Sequence, residues 1–316
     1  MPIPRHFVWA GLDFIFDRDG TPVLLEANRS SHMLGEYLYF FGNERPFELT
    51  AAVMNAADGP PCLLWRRNDP LPDADEDACF IGRHLAEYLR EPPLIANVEE
   101  NQDPRSELLL RDGSRVRPGS LFRWWYGLPW SYEREGVRVI NSNAAWVAVR
   151  DKHVCYESLR SAKHFRVPHS FAVNSVTEVQ QILAEEENIF AGGYVIKPRV
   201  GWGGQGVQVA ELGDVPQPFS GKCLLSERII PELRRGRYWD VRAFVMAGEY
   251  LGGIIHASRS ANTNYWQGGE PERLEVSLAE RLAPAAREAV QLLDDAADAI
   301  HRLPEAPESE LTTVRY

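Results

Sequence analysis

A lysine followed by a glycine-rich loop, with an apolar run on either side, is the feature that most restricts how this chain can fold. The segment from Tyr194 to Val209 reads YVIKPRVGWGGQGVQV. The apolar runs predict a strand before the loop and a second strand after it. Lys197 interrupts the first run, where an ammonium group needs an anionic partner. The pattern therefore predicts a flap in which backbone N–H groups and Lys197 face phosphate.

Three better-known glycine loops fit the segment less well. Gly201, Gly203 and Gly206 match G-x-G-x-x-G, but a dinucleotide-binding loop leads into a helix and this one leads into VQVAEL, a predicted strand. A Walker A loop needs Lys and Ser or Thr after its last glycine, where Val207 stands. A protein-kinase loop precedes its lysine, and the HRD and DFG motifs are missing. A glycine-rich hairpin with an incidental lysine stays the alternative.

A second stretch near the start of the chain carries acidic residues. Gly11 to Asn28 reads GLDFIFDRDGTPVLLEAN, two apolar runs around an Asp-Gly turn, which predicts a β-hairpin. Such a hairpin brings Asp13 near Glu26, and Glu26 and Asn28 point to one face. Two carboxylates and an amide oxygen suit Mg²⁺, with Mn²⁺ as an alternative. The spacing of an EF-hand calcium loop is absent, and an ordinary hairpin with surface acids stays open.

Short strands and amphipathic helices alternate along the rest of the chain. A change of composition at Asp58 to Pro61 marks a domain boundary. Predicted strands cover 62–65, 94–98, 137–141, 170–173, 194–198, 207–212, 224–230, 241–246 and 250–257, with a hairpin at 107–116. Predicted helices cover 78–89, 145–165, 175–186 and 278–303. The pattern predicts an α+β or α/β fold with a small α/β lobe after the boundary.

Further residues stand in a characteristic order around the glycine loop. They are Asp151-Lys152 before it, LLSERII from Leu224 to Ile230 after it, then Asp240-Val241-Arg242, then Arg259 and Asn262 or Asn264 ahead of Gly268-Gly269. This series resembles the ATP-grasp superfamily, in the branch that includes glutathione synthetase and the ribosomal-protein glutamate ligases. The resemblance implies that Lys152 and Lys197 hold the phosphates of ATP and that Arg242 and Arg259 stabilise the transferred phosphoryl group and the tetrahedral intermediate. The remaining nucleotide-binding residues that it implies are Gly201, Gly203, Gly204, Gly206, Glu227, Arg228, Ile229, Ile230 and Asp240.

The predicted metal ligands stand at the start of this chain, whereas in the ATP-grasp superfamily they come near the end. After the helix at 278–303 the family continues with a strand bearing a metal-binding Asp and then with Glu-x-Asn, but here Asp13, Glu26 and Asn28 come first. The chain therefore resembles a circularly permuted ATP-grasp protein, although the Pro often found soon after the Asn is missing. This interpretation predicts four parts: the metal hairpin (1–57), a substrate-side α/β lobe (58–142), a small subdomain with the glycine loop (143–222) and a large subdomain (223–316).

The resemblance implies an ATP-dependent carboxylate–amine ligase that works through an acyl phosphate. A phosphotransferase and a non-catalytic ATP-binding module are the alternatives. The aromatic cluster from Phe122 to Trp130 is either a recognition wall for an aromatic or cationic substrate or part of the core or of an interlobe contact. The partners are then a small carboxylate and a small amine, and either a monomer or a homodimer with exchanged hairpins fits the pattern.

Charge and cysteine content restrict the partners and the compartment. A formal net charge of -11 argues against a large nucleic-acid interface. The cysteines Cys62, Cys79, Cys155 and Cys223 are scattered, which indicates reduced thiols rather than a disulfide framework. No long apolar segment predicts a signal peptide or a membrane span, so a cytoplasmic protein is expected.

Overall fold

A computed structural model describes residues 3–29, 33–65, 82–97, 101, 107–110, 112–123, 128–201, 204–231, 233–259 and 270–303, with the backbone alone at 33–36 and 65. The strands are β1 (Trp9–Phe16), β2 (Pro22–Asn28), β3 (Pro61–Trp65), β4 (Leu94–Asn97), β5 (Leu108–Leu109), β6 (Arg115–Val116), β7 (Ser120–Arg123), β8 (Arg138–Ile140), β9 (Ser170–Val173), β10 (Tyr194–Pro198), β11 (Gln208–Ala210), β12 (Cys223–Glu227), β13 (Tyr238–Met246), β14 (Glu249–Ser258) and β15 (Glu270–Arg273). The helices are α1 (Met33–Phe41), α2 (Arg45–Asn55), α3 (82–86), α4 (Ser131–Arg134), α5 (Asn143–Arg150), α6 (Lys152–Leu159), α7 (Val176–Glu185) and α8 (Val276–His301). Within these residues no helix has the length and apolar character that crossing a membrane requires.

The N-terminal hairpin belongs to the largest sheet, which is antiparallel with the order β15-β14-β13-β1-β2. Strands β1 and β2 form the predicted hairpin, and Gly20 takes the positive φ of 75° that its turn needs. On its other side β1 pairs with β13, so Asp13 lies between Glu26 and Arg242. The first strand of the chain therefore lies beside a strand that follows the glycine loop.

The two faces of this sheet have different chemistry because side chains alternate along a strand. One face carries the apolar residues Leu12, Phe14, Val241 and Ala243 into a core shared with α5 and α8. Helix α8 packs closely there through buried small and branched side chains: Leu282, Ala285, Ala286, Ala289, Val290, Leu293 and Ala297. The opposite face carries Asp13 and Arg242 together with buried apolar side chains such as Phe244 and Met246, which belong to separate apolar clusters.

The glycine loop joins two strands, as the sequence predicts. Strands β10 and β11 pair antiparallel in a sheet of order β11-β10-β12-β9. Helix α7 packs beside this sheet and begins at the predicted cap, where Ser175 Oγ accepts a hydrogen bond from Glu178 N at 3.2 Å. The connection from β10 to β11 is therefore a hairpin flap and not a strand-to-helix turn.

Strands β3, β4, β7 and β8 form a parallel sheet of order β4-β3-β7-β8. Strand β7 was not predicted, because its four residues are all buried and give no alternation of polar and apolar positions. Parallel strands bring their carboxyl ends to one edge, and Arg123 ends β7 there.

Several predicted boundaries are wrong. The helix predicted over 145–165 is two helices, α5 and α6, because Asp151 is extended (φ -95°, ψ 112°) and caps α6 by accepting a hydrogen bond from His153 N at 2.9 Å. The strand predicted over 224–230 ends at Glu227, and the helix predicted over 78–89 ends at residue 86. The long helix predicted over 278–303 is present as α8.

Candidate functional site

The three predicted metal ligands lie together on the N-terminal hairpin. Asp13 and Glu26 are Cα partners across β1 and β2, and Asn28 Nδ2 donates a hydrogen bond to Asp13 Oδ2 at 3.0 Å. From β13, Arg242 donates to the same carboxylate through Nε at 2.8 Å and Nη2 at 2.9 Å. Burial raises the pKa of Asp13, and the Arg242 guanidinium opposes that rise. The site therefore begins as a carboxylate held in place by an amide and a guanidinium.

A β-bulge in the hairpin shapes the floor of the site. Asp13 pairs with Glu26 and Phe14 pairs with Leu24, so Leu25 is an extra residue in β2. The Leu25 carbonyl accepts hydrogen bonds from the Tyr156 hydroxyl at 2.7 Å and from Lys197 Nζ at 3.4 Å. The bulge thus connects the acidic hairpin with α6 and with the strand before the glycine loop.

Lys197 has no direct anionic partner among the residues that the structure describes. Its ammonium group donates to Tyr156 Oη at 2.7 Å and to the Leu25 carbonyl, and among the described residues it meets no carboxylate at ion-pair distance. Burial lowers the pKa of Lys197 to about 8, an effect that Glu26 opposes and Lys152 reinforces.

The second lysine lies between the acids and the glycine loop. Lys152 Nζ is 3.3 Å from Glu26 Oε1 and donates to the Gly201 carbonyl at 2.6 Å. Its backbone N–H donates to the Arg199 carbonyl at 2.9 Å, and Arg199 forms a bidentate ion pair with Asp151 through Nε and Nη2. These contacts fix the base of the flap to the start of α6.

The backbone conformation of the flap requires glycine at two positions. Gly204 and Gly206 have φ values of 72° and 71°, which a residue with a side chain rarely adopts. At Gly206 an added Cβ would also lie 3.0 Å from the Pro198 ring. Gly203 lies outside the described residues, so its predicted role stays a prediction.

The predicted nucleotide segment after the flap is held by ion pairs. Glu227 ends β12 and its Oε1 accepts from Arg166 Nη1 at 2.5 Å and from His169 N at 2.8 Å. Arg228 N donates to the Gly193 carbonyl at 3.1 Å, and the Arg228 guanidinium pairs with Glu211. Ile229 and Ile230 are half-buried beyond the strand. The backbone at 228–230 thus lies beyond the end of β12.

Asp240 and Arg259, also predicted from the family pattern, differ in position. Asp240 is two residues from Arg242 on β13, and its Oδ1 lies 3.0 Å from His256 Nδ1 on β14. Arg259 is exposed just after β14 and five residues beyond Ile254, the Cα partner of Arg242. At about 3.3 Å per residue, this places the Arg259 backbone roughly 17 Å further along the strand direction. Asn262, Asn264, Gly268 and Gly269 lie outside the described residues.

Tyr156 is a site residue that the sequence reasoning missed. It is buried on α6, four residues after Lys152, and burial raises its pKa well above the usual value, so the phenol stays neutral. Residues four apart share a face of a helix, and this spacing was the available signal. The Tyr156 ring also lies 5.0 Å from Lys197 Nζ.

A pair of arginines beside the acids was missed as well. The guanidinium carbons of Arg29 and Arg123 lie 4.2 and 4.4 Å from the ring centroid of Trp146, which therefore contacts both cations. Arg29 directly follows Asn28, and burial lowers the pKa of Arg123 to about 9. Of the predicted aromatic cluster, Phe122 and Trp130 are buried in the core, and 124–127 lie outside the described residues.

Comparison with known proteins gives similarity in structure. No protein-family model and no curated protein matches the chain. A candidate gamma-glutamylcysteine synthetase from Methylobacillus flagellatus KT is similar with a TM-score of 0.58 and 14% identity, over 93% of this chain and 89% of that one. D-alanyl-alanine synthetase A from Vibrio cholerae O1 gives 0.47 and 12% over 75% and 82%, and a D-Ala:D-Ser ligase from Enterococcus faecalis gives 0.44 and 11% over 76% and 83%. At such identities the first similarity establishes the fold.

Proposed function

We propose that this chain, which has the ATP-grasp fold that its sequence predicts, is an ATP-dependent carboxylate–amine ligase. The observation that carries the proposal is Lys197, a partly buried ammonium group whose described partners are neutral oxygens. It lies beside the glycine flap, Lys152 and the acidic hairpin. A buried cation in such a place is stabilised by an anionic ligand with several oxygens, as ATP is.

The hairpin residues fit a divalent metal. Asp13 and Glu26 offer carboxylate oxygens from paired positions, and Asn28 offers an amide, which is the set of ligands that Mg²⁺ or Mn²⁺ takes. The Asn28 amide now directs its nitrogen at Asp13, so a half-turn about its last torsion presents the oxygen instead. A bound Mg²⁺ would neutralise phosphate charge and polarise the transferred group. We infer that Asp13, Glu26 and Asn28 hold this ion.

The proposed reaction has two steps. The γ-phosphoryl group passes from ATP to an oxygen of the substrate carboxylate, and ADP leaves. The amine nitrogen then attacks the acyl carbon, the phosphate departs with the bonding electrons, and the nitrogen loses a proton. Lys152 and Lys197 bind phosphate oxygens, while Gly201, Gly204 and Gly206 let the flap close and exclude water from the acyl phosphate.

The arginines supply positive charge where oxygens become negative. Arg242 lies on the polar face of the sheet and is oriented by Asp13, so its guanidinium is available near the reacting groups. We assign Arg259 the same role. Glu227 to Ile230 would line the adenine site, with Asp240 orienting β14 through His256.

The acid substrate would bind beside Arg29 and Arg123. Two guanidinium groups on one indole ring give this region positive charge, which an anionic substrate would complement. The region directly follows Asn28, where the γ-phosphate would end. This position supports a substrate with a carboxylate at the reacting end.

Two further parts of the proposal concern the chain as a whole. We interpret the N-terminal hairpin as the permuted end of the fold, and the pairing of β1 with β13 supports this interpretation. The three described cysteines, Cys62, Cys155 and Cys223, are unpaired thiols, which supports a reducing compartment such as the cytoplasm. A monomer suffices for the site, since hairpin and lysines meet within one chain.

Product analysis tests the function. The purified protein is incubated with ATP, Mg²⁺ and a panel of small carboxylates, alone and with paired amines, and ADP and phosphate are measured. Hydroxylamine added with the correct acid should give a hydroxamate, because it captures an acyl phosphate. Release of AMP and pyrophosphate contradicts the proposal, and a stable phosphorylated product that no amine consumes identifies a phosphotransferase.

A further inference from the structure

Three side chains from distant parts of the sequence enclose a polar cavity away from the glycine flap. His6 precedes β1, Glu133 lies in α4 and His301 is the last residue of α8. One ligand atom of each lies within 4.8 Å of the other two. The three residues line a cavity of about 120 Å³, which has room for an ion and water.

Each of the three residues directs an unused polar atom into this region. Among the described residues His6 Nε2, Glu133 Oε2 and His301 Nδ1 are buried and have no hydrogen-bond partner. The opposite atoms of two of them are fixed: His6 Nδ1 lies 3.0 Å from Ser142 Oγ, and Glu133 Oε1 accepts from the backbone N–H of Asn143. A buried polar atom without a partner costs about 1–3 kcal/mol, so three of them around one cavity indicate a bound species.

We propose that His6, Glu133 and His301 bind a divalent transition metal of the zinc class. Two imidazole nitrogens and one carboxylate oxygen suit such an ion, whereas Mg²⁺ prefers an all-oxygen set. His301 Nδ1 and Glu133 Oε2 are 3.7 Å apart, and ligands of a tetrahedral zinc lie roughly 3.3 Å apart. A small side-chain movement therefore closes the site. Asp298 Oδ1, 3.5 Å from His6 Nε2, offers a fourth ligand.

The surroundings favour a cation. Asp294 and Asp298 on α8 add two carboxylates to Glu133, while Arg5 and Arg138 add two guanidinium groups, so the ionised groups leave an excess of negative charge. The contact with Ser142 orients the His6 ring.

The metal would join three parts of the fold. It would hold the segment before the hairpin, the helix α4 of the substrate-side lobe and the end of α8 at one point. Glu133 also accepts from Asn143 N, and Asn143 Oδ1 accepts from Arg123 Nη1 at 2.5 Å. The site is therefore two hydrogen bonds from an arginine beside Trp146, and its role is to hold the lobe in position.

Cobalt binding tests the site independently of ligase activity. Full-length protein without a histidine tag is stripped with a chelator and titrated with Co²⁺ in excess Mg²⁺. We expect one Co²⁺ per chain, with the visible absorption of a four-coordinate site, and displacement by Zn²⁺. His301→Asn and His6→Gln should each weaken binding by more than about 100-fold. His164→Asn, at an exposed histidine, and Glu26→Gln, at the nucleotide site, should bind as the wild type does.

Two results would overturn the proposal. One is a wild-type protein that gives no Co²⁺ absorption, which would mean that the cavity holds water and no metal ion. The other is equal binding by His301→Asn or His6→Gln. Circular dichroism checks that these variants fold. If neither variant folds, X-ray absorption spectroscopy of the zinc-loaded wild type tests the ligand assignment instead. A spectrum without two imidazole ligands contradicts the assignment.

Discussion

Replacement of Lys197 by methionine separates nucleotide binding from folding. Methionine keeps an unbranched side chain, one atom shorter than that of lysine, and removes the charge. Loss of one partner of a desolvated charge pair costs about 2–5 kcal/mol, so ATP should bind roughly 30- to 4,000-fold more weakly. The matched control is Lys163→Met at an exposed lysine, whose ATP affinity should equal that of the wild type.

The same change should stabilise the protein without ATP. A pKa lowered from 10.5 to about 8 corresponds to roughly 3 kcal/mol of unfavourable burial at about 1.4 kcal/mol per tenfold change in proton affinity. Lys197 is partly exposed and its hydrogen bond to Tyr156 is lost, so we expect the variant to gain about 1–3 kcal/mol in the free energy of unfolding at pH 7. Binding and stability therefore change in opposite directions.

The stability and the ATP affinity of the wild type should both change with pH, and the direction of each change can be measured. Between about pH 8 and 10.5 the unfolded chain binds a proton that folded Lys197 has lost, so wild-type stability rises with pH and its difference from Lys197→Met shrinks. Phosphate favours the protonated lysine, so wild-type affinity for ATP should fall above about pH 8. The affinity of the variant should not change in this range.

Isothermal titration with ATP and Mg²⁺ measures the affinities, and urea unfolding followed by fluorescence measures the stabilities. Equal ATP affinity in the wild type and Lys197→Met would refute the nucleotide site as described. A variant that is less stable than the wild type at pH 7 would show that Lys197 already has an anionic partner in the free protein.

Three further variants test other parts of the site. Glu26→Gln should stay folded and lose most Mg²⁺-dependent ADP release, and an unchanged dependence on MgCl₂ concentration would remove Glu26 from the metal site. Tyr156→Phe loses hydrogen bonds to Leu25 and Lys197, so we expect a loss of about 1 kcal/mol in unfolding free energy and a smaller loss of ATP affinity than in Lys197→Met; unchanged stability would show that these bonds contribute nothing. Arg29→Gln should raise KM for the acid substrate about tenfold or more with KM for ATP unchanged, and steady-state kinetics with an unchanged acid KM would exclude Arg29 from the substrate site.

Features with local signals were predictable. The Asp19-Gly20 turn fixes the hairpin, and two-residue alternation then places Asp13 opposite Glu26. Lys197 and the glycines that follow predicted a strand, a flap and a second strand, because that pattern depends on neighbours in sequence. The predicted proximity of hairpin and lysines is confirmed by the contact of Lys152 with Glu26.

Features set by tertiary contacts were not predictable. The bulge at Leu25 matters because Tyr156 and Lys197 approach its carbonyl, and nothing in β2 itself signals that approach. The break at Asp151 lies between two consecutive helices, and the helical periodicity of the sequence continues across it, so the pattern shows no sign of the break. The Arg29 and Arg123 pair joins residues almost a hundred positions apart, and only packing on Trp146 brings them together.

The pairing of β1 with β13 determines when this protein can fold during synthesis. Asp13 leaves the ribosome early, but Arg242, its ion-pair partner, follows 229 residues later. The hairpin must therefore wait, with one strand edge unpaired, until β13 has been made, and contacts of such long range form slowly. Every earlier nascent chain lacks an assembled site. We expect ATP to bind only once nearly the whole chain has emerged, so nucleotide binding would mark the end of folding.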